Sequence, residues 1–496
     1  MSALSLSPAA TVSARGPRSL ILLAVAVLAW RFSAISLSGA TLYVDEAQYW
    51  VWAQRLEWGY FSKPPGIALL IRLSTALFGD GLLGVKALAM LCYPLAALLA
   101  WLLARRLYGE AVAWWSALIV LTLPLYAWLG LFASTDALLT VFWLAGLCCY
   151  LRVVDGDRWG DWLALGAVCG LGLLSKYTMA VFVGAVFLHL ACCHRARLVS
   201  FRPWAALALA LAMLLPNIAW NLAHDFPTLR HTADITVHRQ AAGHVGDRLR
   251  ALAEFAAAQW LSFGPLFGSI AVLGLFRLRR LWADPPARLL LCLALPLWAV
   301  VAVQAASGGA NGNWAAPAFA PAAIAIAAWL VARQRQGLLV AGVALNVALA
   351  ALACHAPALL AATGAAPAAR YNPYLRAVGW DDLAGQLRPF VLAHPDAVLL
   401  ADNRSLLAHM AYELRDLRPR VVSWNPDGVA GDHFKLSTDL GRHLGGDALF
   451  IAEQPPAAAL TGRFADTRKL ASLQVRLDAG TTRQLEVYLA HEFQGY

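Results

Sequence analysis

Asp45 and Glu46 stand side by side in the stretch YVDEAQYWVWAQRLEWGYFSKPPG (43–66), and Lys63 follows in its Ser-Lys-Pro-Pro-Gly turn. Two more charged residues interrupt long apolar runs: Asp136 in FASTDALLTVFW and Lys176 in GLLSKYTMAV. A carboxylate can take the proton of an attacking hydroxyl if nearby charge or desolvation raises its pKa. A lysine ammonium is a compact point charge suited to a phosphate oxygen, and fixed positive charge stabilises a departing phosphate. These residue types fit transfer of a group from a phosphate to a hydroxyl. The chain has five lysines against 34 arginines, and Lys63 and Lys176 are two of the five. Each proline after Lys63 fixes its own φ and biases its predecessor toward extended backbone, so the lysine sits on a stiff mount. GLGLLSK, ending at Lys176, lacks the spacing and the preceding strand of a nucleotide phosphate loop.

A second reading stands beside the chemical one. DEAQ has the form of a capping box with Asp45 as N-cap and Gln48 three residues on, and Gly59 would close the helix. Trp50, Ala53, Gln54 and Glu57 or Trp58 recur at helical spacing, which predicts a short helix lying along the membrane interface. On this reading Asp45 is a cap and the tryptophans are anchors. Asp136 likewise fits a Ser-Thr-Asp helix start, where a carboxylate suits the dipole, and Lys176 fits a helix end.

The polar tract WNLAHDFPTLRHTADITVHRQ, from Trp220 to Gln240, adds His224, Arg230 and His231 as candidate substrate-binding groups. His224, His231 and His238 are spaced by seven, which a continuous helix would gather roughly on one face, as a metal site would need. Pro227 and the weak helical pattern favour polar loop histidines instead. No cofactor is called for; a divalent metal is compatible with the tract but not indicated.

These residues must be positioned by membrane helices. Of 496 residues, 60% are hydrophobic and 14% charged, and the mean hydropathy is +0.60. Apolar runs of ~20 residues recur, enough to cross a bilayer core as a helix, and they do not alternate as barrel strands do. About eleven spans are expected, beginning near residues 19, 81, 111, 136, 161, 179, 204, 253, 287, 314 and 337. The two spans that meet at Lys176 almost touch. The run from Ser19 to about Ser38 is long for a signal peptide and suits an uncleaved first span. The net charge of +10 reflects arginines in short loops rather than nucleic-acid binding. With the N-terminus cytoplasmic, the inner loops hold Arg105 and Arg106, Arg152 and Arg158, Arg195, Arg197 and Arg202, Arg277, Arg279 and Arg280, and Arg333 and Arg335. This satisfies the positive-inside rule. Asp45, Lys63, Asp136, Lys176 and the 220–240 tract then share the outer rim, in two outer loops at 43–80 and 221–250 and at span ends. There a charge costs less than the ~2.5–3.5 kcal/mol of the bilayer centre.

The chain divides into a membrane domain, 1–369, and an outer tail, 370–496. In the tail DAVLLAD, PRVVSW and DALFIAE read as buried strands and SLLAHMAYELRD as an amphipathic helix, a small α/β domain able to bury its own core. The eight cysteines all lie in apolar runs, without metal-ligand spacing, and read as small buried hydrophobes.

In order and on one side, the Asp-Glu pair after the first span, the aromatic helix, KPPG, TDALL, SKYT, the tract WN..HDFPTL and NWAAPAF (313–319) resemble one family. It comprises the bacterial membrane glycosyltransferases related to protein O-mannosyltransferases, including the aminoarabinose and galacturonic acid transferases of lipid A. The motifs span most of the membrane region; the tail is similar to that of some members only loosely. The resemblance implies the multi-span GT-C fold in a bacterial inner membrane, a polyprenyl-phosphate sugar as donor, a glycolipid such as lipid A or a protein as acceptor, and inversion. It matches Asp45 and Asp136 to the family's two aspartates. Asp45 is then expected as acceptor-side base, with Glu46 supporting it, Asp136 supporting it or positioning the sugar, and Lys63 and Lys176 on the donor phosphate. Two other classes compete. A transporter would gather its polar groups near the midplane, often in paired repeats, whereas here they gather at one rim and no repeat is evident. A lipid-carrier ligase would move a whole glycan from the same outward site.

Overall fold

A computed structural model describes residues 16–234, 245–308, 310–364, 372–478 and 480–496. The membrane part is helical throughout. Among the described residues seven helices are long and apolar enough to cross a bilayer, by length and composition: Pro17–Leu37, Leu82–Tyr108, Thr135–Gly156, Arg202–Ala223, Pro285–Ser307, Gly312–Ala332 and Gln336–Cys354. A bent pair, Val245–Phe263 and Pro265–Leu275 meeting at 119°, makes up to an eighth. Glu110–Thr122, Trp159–Ser175 and Met179–Cys193 are apolar but shorter. Ten of the eleven expected starts fall within a few residues of a helix start. The exception is the helix expected near 253, which begins at Val245. Its first turns carry Asp247, Arg248, Arg250 and Glu254, so they do not look apolar, and Arg250 pairs with Glu254 one turn on.

The loop between helices Pro17–Leu37 and Leu82–Tyr108 contains a helix the sequence reading did not anticipate. Gly66–Phe78 is apolar, with Leu69, Leu73, Leu77 and Phe78 exposed and Ile67, Ala68 and Ile71 buried. The cysteines mostly behave as expected, but Cys192 is exposed.

The C-terminal part is built on one sheet of β1 (Val398–Ala401), β2 (Val421–Ser423), β3 (Ala448–Ala452), β4 (Phe464–Arg476) and β5 (Thr482–Phe493), in the order β2-β1-β3-β5-β4. β1 pairs in parallel with β2 and β3, while β5 runs antiparallel to both β3 and β4. The parallel strands are short and apolar because both faces are covered. β4 and β5 alternate exposed and buried residues over part of their length, which made them harder to see than the three apolar runs.

This sheet does not keep its core to itself. Leu399, Leu407, Met410, Leu449 and Leu489 pack in one buried cluster with Leu42, Ala47, Trp50, Trp52, Ile67 and Val85 of the membrane part. Helix Arg404–Glu413 lies against helix Val44–Gln54, with Tyr412 edge-on to Trp50 at 5.3 Å. Thr41 donates its backbone N–H and its hydroxyl to the Ala377 carbonyl at 2.6 and 2.9 Å. The aromatic helix is therefore sandwiched, with Tyr49, Trp50, Trp52 and Ala53 buried. The sequence reading laid it along the membrane surface; covering by the C-terminal domain explains its apolar faces instead.

Candidate active site

The aromatic helix starts two residues earlier than the capping-box reading expects. Tyr43 is the N-cap, and the side chain that reaches back is Glu46, which accepts from the Tyr43 N–H at 3.0 Å. Asp45 is thus in the first turn and not the cap, Gln48 is not the box partner, and the helix ends at Gln54, with Arg55 as C-cap, rather than at Gly59.

That shift separates the two carboxylates, since neighbours on a helix do not face one another. Glu46 points inward and is 1% exposed. Its oxygens accept from Lys86 Nζ at 2.7 and 2.5 Å and from the Ala133 N–H at 2.7 Å. Lys86 also donates to the Leu131 carbonyl at 3.2 Å. Glu46 therefore ties the first loop to helix Leu82–Tyr108 and to the segment that leads into Asp136. Lys86 has no signal of its own in the sequence, because one lysine in an apolar run shows its role only once its partner is known.

Asp136 lies in the first turn of helix Thr135–Gly156 and Lys176 caps the end of helix Trp159–Ser175. The two meet at 2.6 Å, with Asp136 almost fully buried. The start of one helix and the end of another thus bring complementary charge to complementary dipoles. The second Asp136 oxygen accepts from Asn313 at 2.8 Å, a residue in the 3-10 turn Gly312–Ala318. NWAAPAF therefore reaches the site through its asparagine.

Lys63 is half-buried in the loop between helices, held by a bond from the Tyr60 N–H to the Lys63 carbonyl at 3.1 Å. Among the described residues its ammonium has no hydrogen-bond or ion-pair partner. Burial, then the like charge of Lys176, pushes its pKa down, while Asp45 and Asp136 oppose and Arg404 adds to the lowering. Those four charges act on one ammonium. Gly66 lets the loop approach, because a Cβ there would lie 2.8 Å from the Leu174 carbonyl oxygen and 2.9 Å from the Ser175 Cα, at the helix end that presents Lys176. Behind the loop, Asn217 donates to the Trp58 carbonyl at 2.6 Å and accepts from the Tyr177 hydroxyl at 2.6 Å. Trp220 donates to Glu57 at 2.8 Å and Thr228 to the Tyr60 carbonyl at 2.9 Å.

The 220–240 tract serves this brace. His224 stacks on Trp220 with ring centroids 4.2 Å apart, and His231 lies against Phe61 at 5.1 Å. Arg230 is exposed. The heptad of histidines does not lie on one helix. The helix carrying Trp220 ends at Ala223, Asp225 and Phe226 take positive φ, and Pro227 opens a new helix, Pro227–Ala233. His238 lies outside the described residues. Among the described residues no three His, Cys, Asp or Glu side chains are grouped to hold a metal.

Asp45 faces outward and is joined from the far end of the chain. Arg404 donates through both terminal nitrogens to one Asp45 oxygen, each at 3.2 Å, and through Nη1 to Gln48 at 2.7 Å. Sequence reasoning missed Arg404. Its signal was the strand VLLA followed by Asp402-Asn403-Arg404, since the carboxyl ends of parallel strands are where open α/β sheets place ligand-binding groups. Asn403 caps the helix that follows, accepting from the Ser405 N–H at 2.8 Å. Tyr49 is buried within the field of both Asp45 and Asp136, and its hydroxyl pKa is raised by burial first and by those carboxylates next.

Comparison with known proteins shows the family and the fold. The model of the dolichyl-phosphate-mannose-protein mannosyltransferase family matches residues 62–220. The lipid A galacturonosyltransferase RgtD of Rhizobium johnstonii is 31% identical over 88% of this chain and 91% of its own length. The undecaprenyl phosphate-alpha-4-amino-4-deoxy-L-arabinose arabinosyl transferase of Pseudomonas aeruginosa UCBPP-PA14 is 30% identical over 70% of this chain and 66% of its own. In fold, the crystal structure of ArnT from Cupriavidus metallidurans bound to undecaprenyl phosphate superposes with a TM-score of 0.63 at 16% identity, over 95% of this chain and 98% of that one. An Archaeoglobus fulgidus oligosaccharyltransferase does so at 0.51 and 14%, over 87% of this chain and 67% of that one. The fold is GT-C, and this multi-pass chain belongs to the family of membrane glycosyltransferases that includes the lipid A galacturonosyltransferase.

Proposed function

We propose that the protein transfers a sugar from a polyprenyl-phosphate donor to a glycolipid of the bacterial envelope, lipid A or a relative of it, with inversion, on the outer face of the inner membrane. The acceptor hydroxyl attacks the anomeric carbon as the bond from that carbon to the phosphate oxygen breaks. Asp45 takes the hydroxyl proton, and the polyprenyl phosphate leaves with its negative charge on Lys63. Asp136, fixed by Lys176 and Asn313, positions the sugar, and Lys176 adds positive field on the phosphate side. Glu46 acts through the backbone by holding Asp45 and Asp136 in place. His224 and His231 support the loop that carries Lys63, and Arg230 is available to substrate at the rim. The reading needs no metal.

The observation that carries this reading is the lone ammonium of Lys63 amid Asp45, Asp136, Lys176 and Arg404. An uncompensated cation beside two carboxylates suits a phosphate leaving group and a base. The names of the relatives support the donor and acceptor classes. Orientation rests on charge: Arg106–Asp155, Arg152–Asp161 and Arg202–Asp157 pairs gather at the helix ends opposite Lys176. This supports an outer position for Lys176, a 17-residue helix away from Arg158, and for the 370–496 domain. The test is transfer by the purified protein in liposomes, from undecaprenyl-phosphate-linked sugars to lipid A, read by mass spectrometry. No transfer from any such donor, with polyprenyl phosphate failing to bind, would refute the proposal.

A further inference from the structure

The ion pairs at the site differ in accessibility. Glu46–Lys86 is 2% exposed on both sides and Asp136–Lys176 is 5% and 15%, but Asp45–Arg404 is 60% and 40%. An open pair of this kind contributes ~0–1 kcal/mol, so it rearranges cheaply, whereas the other two are locked.

The guanidinium is also only part used. Arginine has five N–H donors in a fixed fork. Nη1 serves Asp45 and Gln48, and Nη2 serves Asp45 once. Among the described residues Nε–H and the second N–H of Nη2 have no partner, and together they form the edge that takes two oxygens of a carboxylate or phosphate side by side. The backbone beneath is rigid, with Asn403 capping the helix and Tyr412 packed on Trp50.

Charge completes the case. Resting, Arg404 compensates Asp45. Once Asp45 has taken the proton of the attacking hydroxyl, the guanidinium loses that compensation. A substrate anion on the free edge replaces it.

We propose that Arg404 is a specificity-determining residue that binds an anionic group of the substrate beside Asp45, either a carboxylate on the transferred sugar or a phosphate on the acceptor. The inference rests on the proposed transfer reaction and names its substrate class.

The experiment measures kcat/KM for wild type, Arg404→Lys and Arg404→Gln with two donors, a polyprenyl-phosphate uronic acid and its neutral hexose counterpart. Each donor is paired with lipid A carrying or stripped of its phosphates. Both variants should lose roughly 10- to 100-fold, mainly through KM, on substrates bearing the recognised anion, the range of charge-assisted hydrogen bonds. The loss on the matching neutral substrate should be smaller, so that the preference for the charged substrate falls. Loss confined to the uronic donor assigns the carboxylate; loss confined to the phosphorylated acceptor assigns the phosphate. Equal loss on all four combinations, or none on any, overturns the inference. Wild-type binding of the charged and neutral substrates, measured by calorimetry, needs no variant, and equal affinities for both pairs also overturn it. Wild type inactive with every donor overturns the transfer reaction itself, a result distinct from an active wild type with indifferent variants.

Discussion

Lys176 and Asp136 meet at 2.6 Å with the helix start of one facing the helix end of the other, and Asn313 closes the remaining carboxylate oxygen at 2.8 Å. This carboxylate is held by two membrane segments besides the helix that carries it. Asp45, by contrast, is held from one side by a domain outside the membrane part. One aspartate is a fixed part of the scaffold and the other is poised at its surface.

Neutralising one partner of the fixed pair should therefore destabilise the protein. Asp136→Asn or Lys176→Met alone leaves a buried charge uncompensated, at a cost of about 3–5 kcal/mol. The double variant should recover much of that stability. It should still transfer no sugar, and thermal unfolding beside a transfer assay separates the two effects.

Asp45→Asn should leave unfolding nearly unchanged, because its one ion pair among the described residues is exposed. Its kcat should fall by roughly 10²–10⁴, the span typical of a positioned general base. Transfer at the wild-type rate would remove Asp45 from the reaction.

Donor binding should weaken with rising pH sooner than an ordinary lysine allows. The Lys63 ammonium is destabilised by burial and by Lys176, so it loses its proton below the usual 10.5. Donor affinity, present below that lowered pKa, should decline as pH rises through it. Lys63→Ala should raise the donor KM more than the acceptor KM. Lys63→Arg, charged throughout, should flatten the profile; an unaltered slope in that variant would exclude Lys63 as the titrating group.

Glu46 and Lys86 should behave as a structural pair. Glu46→Ala strands a buried ammonium and should cost about 3–5 kcal/mol, lowering the yield of folded protein. Glu46→Gln with Lys86→Met should restore folding and return measurable transfer, since neither residue touches substrate. Complete inactivity of a folded double variant would give Glu46 a direct catalytic part.

Glu413, at the contact between the C-terminal domain and Thr41, has its pKa raised to about 7 by burial first and by Asp381 next. Between the ordinary 4.5 and 7 the folded protein keeps a proton that the unfolded chain has released. Stability contributed by that proton is present at low pH and lost as pH rises through this window. The midpoint of thermal unfolding should drop from pH 5 to 7.5, and Glu413→Gln should remove the drop.

Much of this was legible in the sequence because membrane spans, short buried strands and span-end charges announce themselves by composition. Asp45, Lys63, Asp136 and Lys176 stood out as polar residues where apolar ones prevail. Glu46 was misread because adjacency in sequence suggested adjacency in space, while helical geometry turned it toward Lys86. The capping register failed for the same reason: Glu46 and Gln48 look equally able to reach back, and only the buried lysine decides between them. Arg404 lies 359 residues from Asp45, and no local pattern encodes that distance. β4 and β5 were missed because their part-exposed alternation carries less apolar signal than β1 or β3.

The same distance orders the protein's birth. At ~5–20 residues per second a ribosome needs roughly 20–70 s to pass from Asp45 to Arg404. Through that interval the helix bearing Trp50 and Trp52 has been made without Tyr412 and His433 to cover it. A nascent chain thus presents, for the better part of a minute, an aromatic surface that the finished enzyme never exposes. Its vulnerable moment is its own synthesis, before the last quarter of the chain arrives.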